Sequence, residues 1–260
     1  MSATPDAGAR RPPLSGVVTT FDNAATLDAC LASLAFCDER VVLDSGSTDA
    51  TREIAEKHGA RISIRPFEGY GPQKQHAIDL ATHDWILLLD ADEHLTPIGR
   101  EAIERELRAP RADGYRLPRQ EWLFWRWAHP EARANWQLRL FRKSRGRMNT
   151  VPVHAAPVID GTPFDLDAPF RHYGEPHLAD RVDKVNRYSS GLVVHKRRKP
   201  IRGLSARILV QPTLAFLKLY IGKRYFLDGW AGYFAARTHA FYTFLKYAKV
   251  LEAQRKPDQS

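Results

Sequence analysis

Over its first 110 residues this chain alternates between short unbroken apolar runs and apolar residues spaced three or four apart. Unbroken runs predict strands covered on both faces, and the wider spacing predicts helices with one covered side. The runs are 15–21 (SGVVTTF), 40–44 (RVVLD), 60–65 (ARISIR) and 85–89 (WILLL). Leu27, Cys30, Leu31 and Leu34 mark one helix, with Asn23 or Thr26 as its cap, and 50–57 marks a second that His58-Gly59 stops. Gly69 and Gly71 loosen the chain before Pro72, which suits the first turn of a helix reaching Ala81. Thr96-Pro97 opens another, with Ile98, Ala102, Ile103 and Leu107 on one side and Pro110 as its stop. This alternation of strand and helix predicts a doubly wound, mostly parallel α/β sheet.

After Pro110 the rhythm changes. Residues 114–118, 137–142, 151–159 and 170–173 read as strands of an added layer. Between them EWLFWRWAHPEARANW concentrates four tryptophans, read either as a surface that grips a sugar ring or apolar acceptor or as an aromatic minicore. From Arg181 the pattern is helical. The apolar stretch 208–217 contains Pro212 and is short against the roughly twenty residues of a bilayer span. Phe226, Trp230, Tyr233, Phe234, Phe241, Phe244 and Leu245 follow at spacings expected for one helix face, interspersed with Lys and Arg. The expected organisation is a disordered lead (1–13), an α/β half (14–110), a second half of the same domain formed by the added layer (111–180) and a basic amphipathic helical extension (181–260).

Charge sharpens this division. Residues 181–260 carry 17 Lys and Arg against four acids, whereas the first 180 carry 22 against 26. Cations beside aromatics suit a helix lying in an anionic membrane interface, the alternative being a helix packed on the protein body. Nucleic-acid binding is not expected, because no motif for it accompanies the cations. Cys30 and Cys37 are the two cysteines; Cys30 falls on the apolar face of a predicted helix and reads as a reduced core thiol, a cytosolic setting fits, and the first residues lack the apolar region of a signal peptide.

Candidate chemistry collects where strands end. The 85–89 run stops at Asp90, Asp92 and Glu93. In an extended chain Asp90 and Asp92 point the same way, and two converging carboxylates suit Mg²⁺ or Mn²⁺ shared with phosphate oxygens. The plainer reading is an acidic loop before the Thr96-Pro97 helix. Asp44 ends another strand at the same edge, where open α/β sheets bind ligands. Asp49 suits the positive start of the helix after it. Lys74 sits at a helix start, a place that suits diphosphate, though a lone lysine is as readily just solvated.

Taken together, TTFDN, DSGSTD, GYGPQKQHA and WILLLDADE, in that order, resemble the GT-A sugar transferases of glycosyltransferase family 2. RLFRK, VPVH, NRYSS and FLDGWAGY resemble its lipopolysaccharide core glucosyltransferase-like branch. The resemblance implies an inverting, metal-dependent transfer from a nucleotide-sugar, expected to be a UDP-sugar, to a lipid-linked saccharide, by a cytoplasmic enzyme peripheral on the inner face of the membrane. It implies that Thr20 and Phe21 border the base, Asp44 accepts from uracil, Lys74 lies near the nucleotide, Asp90 meets ribose or metal, and Asp92 holds the divalent ion. Asp22-Asn23 and Lys74-Gln75 depart from the family's usual Asn-Glu and Lys-Asn. Ala155 stands where the branch often has the Glu of V-H-E, so the general base is sought among His154, Glu93, Glu121 and Asp160. A nucleotide-sugar binder with impaired catalysis is the alternative.

Overall fold

The computed structural model describes residues 10–150, 155–174, 177–196 and 203–255, without the side chains of 192–196. The chain divides into two compact units, Met1–Gln120 with Asn135–Tyr173 and Glu121–Ala134 with Gly174–Ser260. The division thus falls at 120, 134 and 173.

The first unit opens with β1 (Leu14–Thr20), α1 (Ala24–Ser33), β2 (Glu39–Asp44), α2 (Thr51–Lys57), β3 (Arg61–Ile64), α3 (Tyr70–Leu80) and β4 (Trp85–Asp90). The four strands are parallel in the order β3-β2-β1-β4. Alternate residues of β4 enter opposite layers. Trp85, Leu87 and Leu89 join one buried cluster with Leu27 and Leu31 of α1, while Ile86 and Leu88 join another with Ala77 and Ile78 of α3. Burial on both faces is why this strand reads as an unbroken apolar run.

The register decides where chemistry gathers. Thr20 lies opposite Asp44, and Thr19 opposite Asp90. The ends of β2, β1 and β4 therefore share one sheet edge, with the backbones of Asp44 and Asp90 two strand spacings, about 10 Å, apart.

After β4 come β5 (Glu93–Leu95), α4 (Pro97–Glu106), β6 (Gly114–Leu123), β7 (Arg126–Trp127), β8 (Asn135–Arg142), β9 (Gly146–Met148), β10 (Pro157–Ile159), β11 (Phe164–Asp165) and β12 (Phe170–His172). Thr96 caps α4, its hydroxyl accepting from the Gly99 amide at 3.0 Å. The sheet continues antiparallel, β8 on β4 and β6 on β8, and ends with β12 on β5. It is more mixed than expected, because no helix separates β6 from β8 to bring the chain back in parallel. The acidic segment also departs from expectation: the chain turns at Ala91–Asp92 and returns as β5 instead of staying extended.

The second unit holds residues 121–134, α5 (Leu178–Lys196), α6 (Leu204–Leu217) and α7 (Gly229–Arg255). Helix α7 packs against both α5 and α6. Its buried side is lined by small residues, Ala231, Gly232, Ala235, Ala236 and Ala240, while Trp230, Phe241 and Phe244 stay exposed. The expected aromatic stripe is therefore split: Tyr233 and Phe234 meet Phe216, Tyr220 and Phe124, while its other rings face outward. The Trp-rich stretch forms a minicore: Trp122 and Trp127 meet edge to face at 4.9 Å, and Leu123, Phe124 and Ala128 cluster with Ala231 and Ala235. Trp125 remains exposed. Helix α6 continues through a π-turn at Lys218–Gly222, and Leu204–Gly222 is long and apolar enough, by length and composition alone, to cross a bilayer. The reading of 208–217 as too short is corrected by this continuation.

Candidate active site

The loops after β1 and β2 are knitted into one rim. Asp22, held at a positive φ of 48°, accepts from the Thr48 amide at 2.8 Å, and its own amide donates to Ser47 Oγ at 2.9 Å. The Asp49 carboxylate accepts from the Ala24 and Thr51 amides, both 3.0 Å, at the first residues of α1 and α2. Two positive helix ends thus share one anion. The Thr51 hydroxyl bond first, then these amides, holds the Asp49 carboxyl below its ordinary value.

Asp44 is fully buried and closes its own turn, accepting from the Ser47 amide and hydroxyl and the Gly46 amide. Gly46 turns there at a φ of 99°, open to glycine and strained for other residues. Thr20 is buried beside it, and Phe21 is exposed at the rim.

Helix α3 ties this rim to the acidic strand. Gln73 donates to Ser45 Oγ and the Arg65 carbonyl, both at 3.0 Å. The next residue, Lys74, is nearly buried and pairs with Asp90 Oδ1. Gln75, where the family usually has Asn, accepts from the Met148 amide at 2.8 Å and so holds α3 against β9.

Asp90 also receives Arg139 from β8, 3.3 Å from Oδ2. Burial alone would raise the Asp90 carboxyl, but Lys74 and Arg139 outweigh it and hold it far below the usual carboxylate range. The same guanidinium lies 2.6 Å from Glu93, whose other oxygen accepts the Asp90 amide at 3.0 Å. Glu93 is buried with no exposed side chain; burial pushes its carboxyl up, against the pull of Arg139. Asp92 faces a different partner. Its Oδ2 lies 3.4 Å from Nε2 of His172 on β12, and its side chain is 37% exposed.

A divalent ion fits part of this arrangement. Among the described residues no three His, Cys, Asp or Glu side chains converge as a ready cage. Both Asp90 oxygens already face cations, whereas Asp92, 37% exposed, and His172, 18% exposed, bring a carboxylate oxygen and a ring nitrogen within 3.4 Å of each other. Two protein donors suit an ion that completes its shell with phosphate oxygens and water.

The family model described as Glycosyl transferase family 2 matches residues 15–157, which contain every element of this edge except β12. The chain belongs to that family. The lipopolysaccharide core biosynthesis glycosyltransferase LpsC of Rhizobium meliloti is 30% identical over 92% of this chain and 92% of its own. An uncharacterized glycosyltransferase of Rickettsia felis is 30% identical over 94% and 91%. Among solved structures, glucosyl-3-phosphoglycerate synthase from Mycobacterium tuberculosis, in complex with Mn²⁺, UDP and glucosyl-3-phosphoglycerate, is 23% identical over 43% of this chain and 44% of its own, with a TM-score of 0.36, too low to carry an argument. This family-2 chain is a glycosyltransferase with an α/β fold of the GT-A type.

Of the residues expected at the site, Thr20, Phe21, Asp44, Lys74, Asp90, Asp92 and Glu93 lie at or beside one sheet edge. Glu121 belongs to the second unit, Asp160 sits on the surface 3.4 Å from Arg147, and His154 lies outside the described residues. Arg139 and His172 were not singled out from sequence. RLFRK was noticed as a motif, but the partner of its first Arg depends on β8 pairing with β4. His172 reaches the edge because β12 pairs with β5, placing it opposite Glu93.

Proposed function

We propose that this enzyme transfers a sugar, with inversion, from a UDP-sugar to a lipid-linked saccharide of the lipopolysaccharide core type. The observation that carries the donor half is the Asp90–Asp92 turn at the edge shared with Asp44, with Lys74 and the start of α3 beside it. The core-type acceptor is taken from the resemblance to LpsC over nearly the whole chain.

Asp92 and His172 would hold Mg²⁺ or Mn²⁺; when bound, that ion neutralises charge developing on the departing diphosphate. Asp90, fixed between Lys74 and Arg139, is assigned to the ribose. Lys74 contributes positive charge near the nucleotide. Asp44 shapes the base pocket through its turn, and any lone pair left after three accepted bonds is available to uracil. The acceptor hydroxyl oxygen forms a bond to the anomeric carbon as the bond from that carbon to the diphosphate breaks, and a base takes the hydroxyl proton. Glu93, packed under Arg139, is assigned to positioning, which leaves His154, next to Ala155 in sequence, as the candidate base.

Ala155 favours one other reading, a nucleotide-sugar binder without turnover, since no ionisable group stands at that position. One experiment separates the two. Purified enzyme is given UDP-sugars, Mn²⁺ and a lipid-linked core saccharide, and UDP release is measured beside calorimetric UDP binding. Release above the acceptor-free rate supports transfer. Binding without release on any lipid-linked saccharide supports the binder.

A further inference from the structure

Helix α6 leaves an apolar face uncovered in the second unit. Leu209 (77% exposed), Val210 (52%), Leu214 (50%) and Leu217 (41%) fall within about 140° of arc at 3.6 residues per turn, and Ile221 (59%) follows in the π-turn. At the Leu209 flank of this stripe α6 packs on α7, where Phe216 and Tyr220 meet Tyr233 edge to face at 5.8 and 6.0 Å. Arg207 and Lys218 stand eleven positions apart on one flank, about 16 Å along a helix, against roughly 30 Å of bilayer hydrocarbon, so the two cannot reach opposite headgroup layers.

Charge selects the occupant. From Gly203 to Leu227 there are four cations and no acid; Lys223 donates to the Ala134 carbonyl at 3.2 Å and Arg224 pairs with Glu131 at 3.3 Å, so Arg207 and Lys218 are the ones that bear on the stripe. Arg207 and Lys218 are exposed, one near each end of the stripe and on the same flank. Trp230, 70% exposed, adds an amphipathic ring at the start of α7. An apolar stripe with flanking cations and an aromatic ring is matched by an anionic lipid surface: acyl chains take the leucines and headgroup phosphates take the Lys and Arg.

We infer that α6 and its π-turn lie in the interface of an anionic bilayer, stripe inward, without spanning it. The contact is thereby placed on α6, its π-turn and the adjoining Trp230 at the start of α7. The inference rests on the lipid-linked acceptor reading for the purpose of the surface, which is to bring the enzyme to its substrate.

The test uses the full chain and vesicles of phosphatidylglycerol with phosphatidylethanolamine, against phosphatidylcholine alone. Wild type should float with the anionic vesicles. A Leu209→Asp/Leu217→Asp variant, altered only at exposed positions, should lose at least about tenfold in bound fraction while keeping its circular dichroism and UDP affinity. A Leu214→Cys variant labelled with an environment-sensitive fluorophore should shift to the blue on adding anionic vesicles. The inference is overturned if wild type stays in the soluble fraction, if the double-Asp variant floats unchanged, or if the label shows no shift. It is also overturned if sedimentation shows a wild-type dimer that the double-Asp variant abolishes with flotation unaltered, since the face then serves a second copy. Failure to transfer sugar with flotation intact would sink the acceptor reading and leave the surface standing.

Discussion

Arg139 places its guanidinium 2.6 Å from Glu93 and 3.3 Å from Asp90, so one buried cation holds both the end of β4 and the start of β5. The turn that presents Asp92 lies between those two anchored carboxylates. Its geometry is set from beneath by charge, since the intervening residues are only Ala91 and Asp92.

Removing that cation strands a buried Glu93 without its nearest partner. Arg139→Met should destabilise the first unit by about 3–5 kcal/mol, the range for breaking a buried ion pair on one side. Arg139→Met with Glu93→Leu should regain part of this loss, because the uncompensated charge is then gone. Urea denaturation of the three proteins measures both, and a double variant no more stable than the single would refute the account.

Acid stability should report Glu39, at the opposite end of the sheet. Glu39 accepts from Ser15 Oγ, Arg61, and the amide and hydroxyl of Thr82. Burial would raise its carboxyl, and these donors overcome it, bringing it from 4.5 to about 2. A depressed folded value means the stabilisation is full above the unfolded value and lost as pH falls through about 2. The size is on the order of 2–3 kcal/mol. Glu39→Gln should be less stable near neutral pH, and its stability should fall less steeply than that of wild type between about pH 5 and pH 2. Parallel acid slopes for the two proteins would contradict this.

What the sequence made legible follows distance along the chain. β1 to α4 are local, each coded by its own periodicity and stop residues, and the edge carrying Asp44 and Asp90 follows from parallel order alone. The turn after Asp90 was not legible, since three acids within four positions can continue a strand or reverse it. Glu93 reads as a free carboxylate until β8 supplies Arg139 from 46 positions away. In α7 the large aromatics dominate the pattern, yet the fully buried positions are mostly alanines, with Tyr233 and Phe234 beside them, because close helix packing rewards small side chains that a hydrophobic periodicity underweights.

Gly232 tests that close packing. A Cβ built there would lie 1.9 Å from the Tyr225 carbonyl oxygen, a backbone atom that cannot swing aside. Gly232→Ala should therefore push the 225–228 turn off α7 and destabilise the second unit by about 1–3 kcal/mol, as overpacking does. Gly191→Ala, on α5 with nothing within 4 Å of its added Cβ, is the control and should be neutral or slightly stabilising. Equal melting shifts for the two would remove the packing explanation.

Asp92 and His172 carry the sharpest test of the donor site. If they form the protein's share of a divalent-ion site, each should matter for the ion more than for the fold; Asp92 is 37% exposed, and for His172, 18% exposed, circular dichroism of the variant separates the two effects. Asp92→Asn should cut UDP release by at least about a hundredfold, a loss typical of a group that stabilises charge in the transition state. His172→Ala should act less on the rate at saturating Mn²⁺ and more on the Mn²⁺ concentration needed, raising it on the order of 10- to 100-fold. Binding gives a readout independent of turnover: Mn²⁺ should strengthen UDP affinity in wild type, and this enhancement should shrink in both variants. Lys74→Met should weaken UDP binding with or without Mn²⁺, because its ammonium acts as a fixed charge beside the nucleotide. A wild type whose UDP affinity ignores Mn²⁺, or an Asp92→Asn variant that keeps the full enhancement, would assign Asp92 and His172 to a plain surface ion pair.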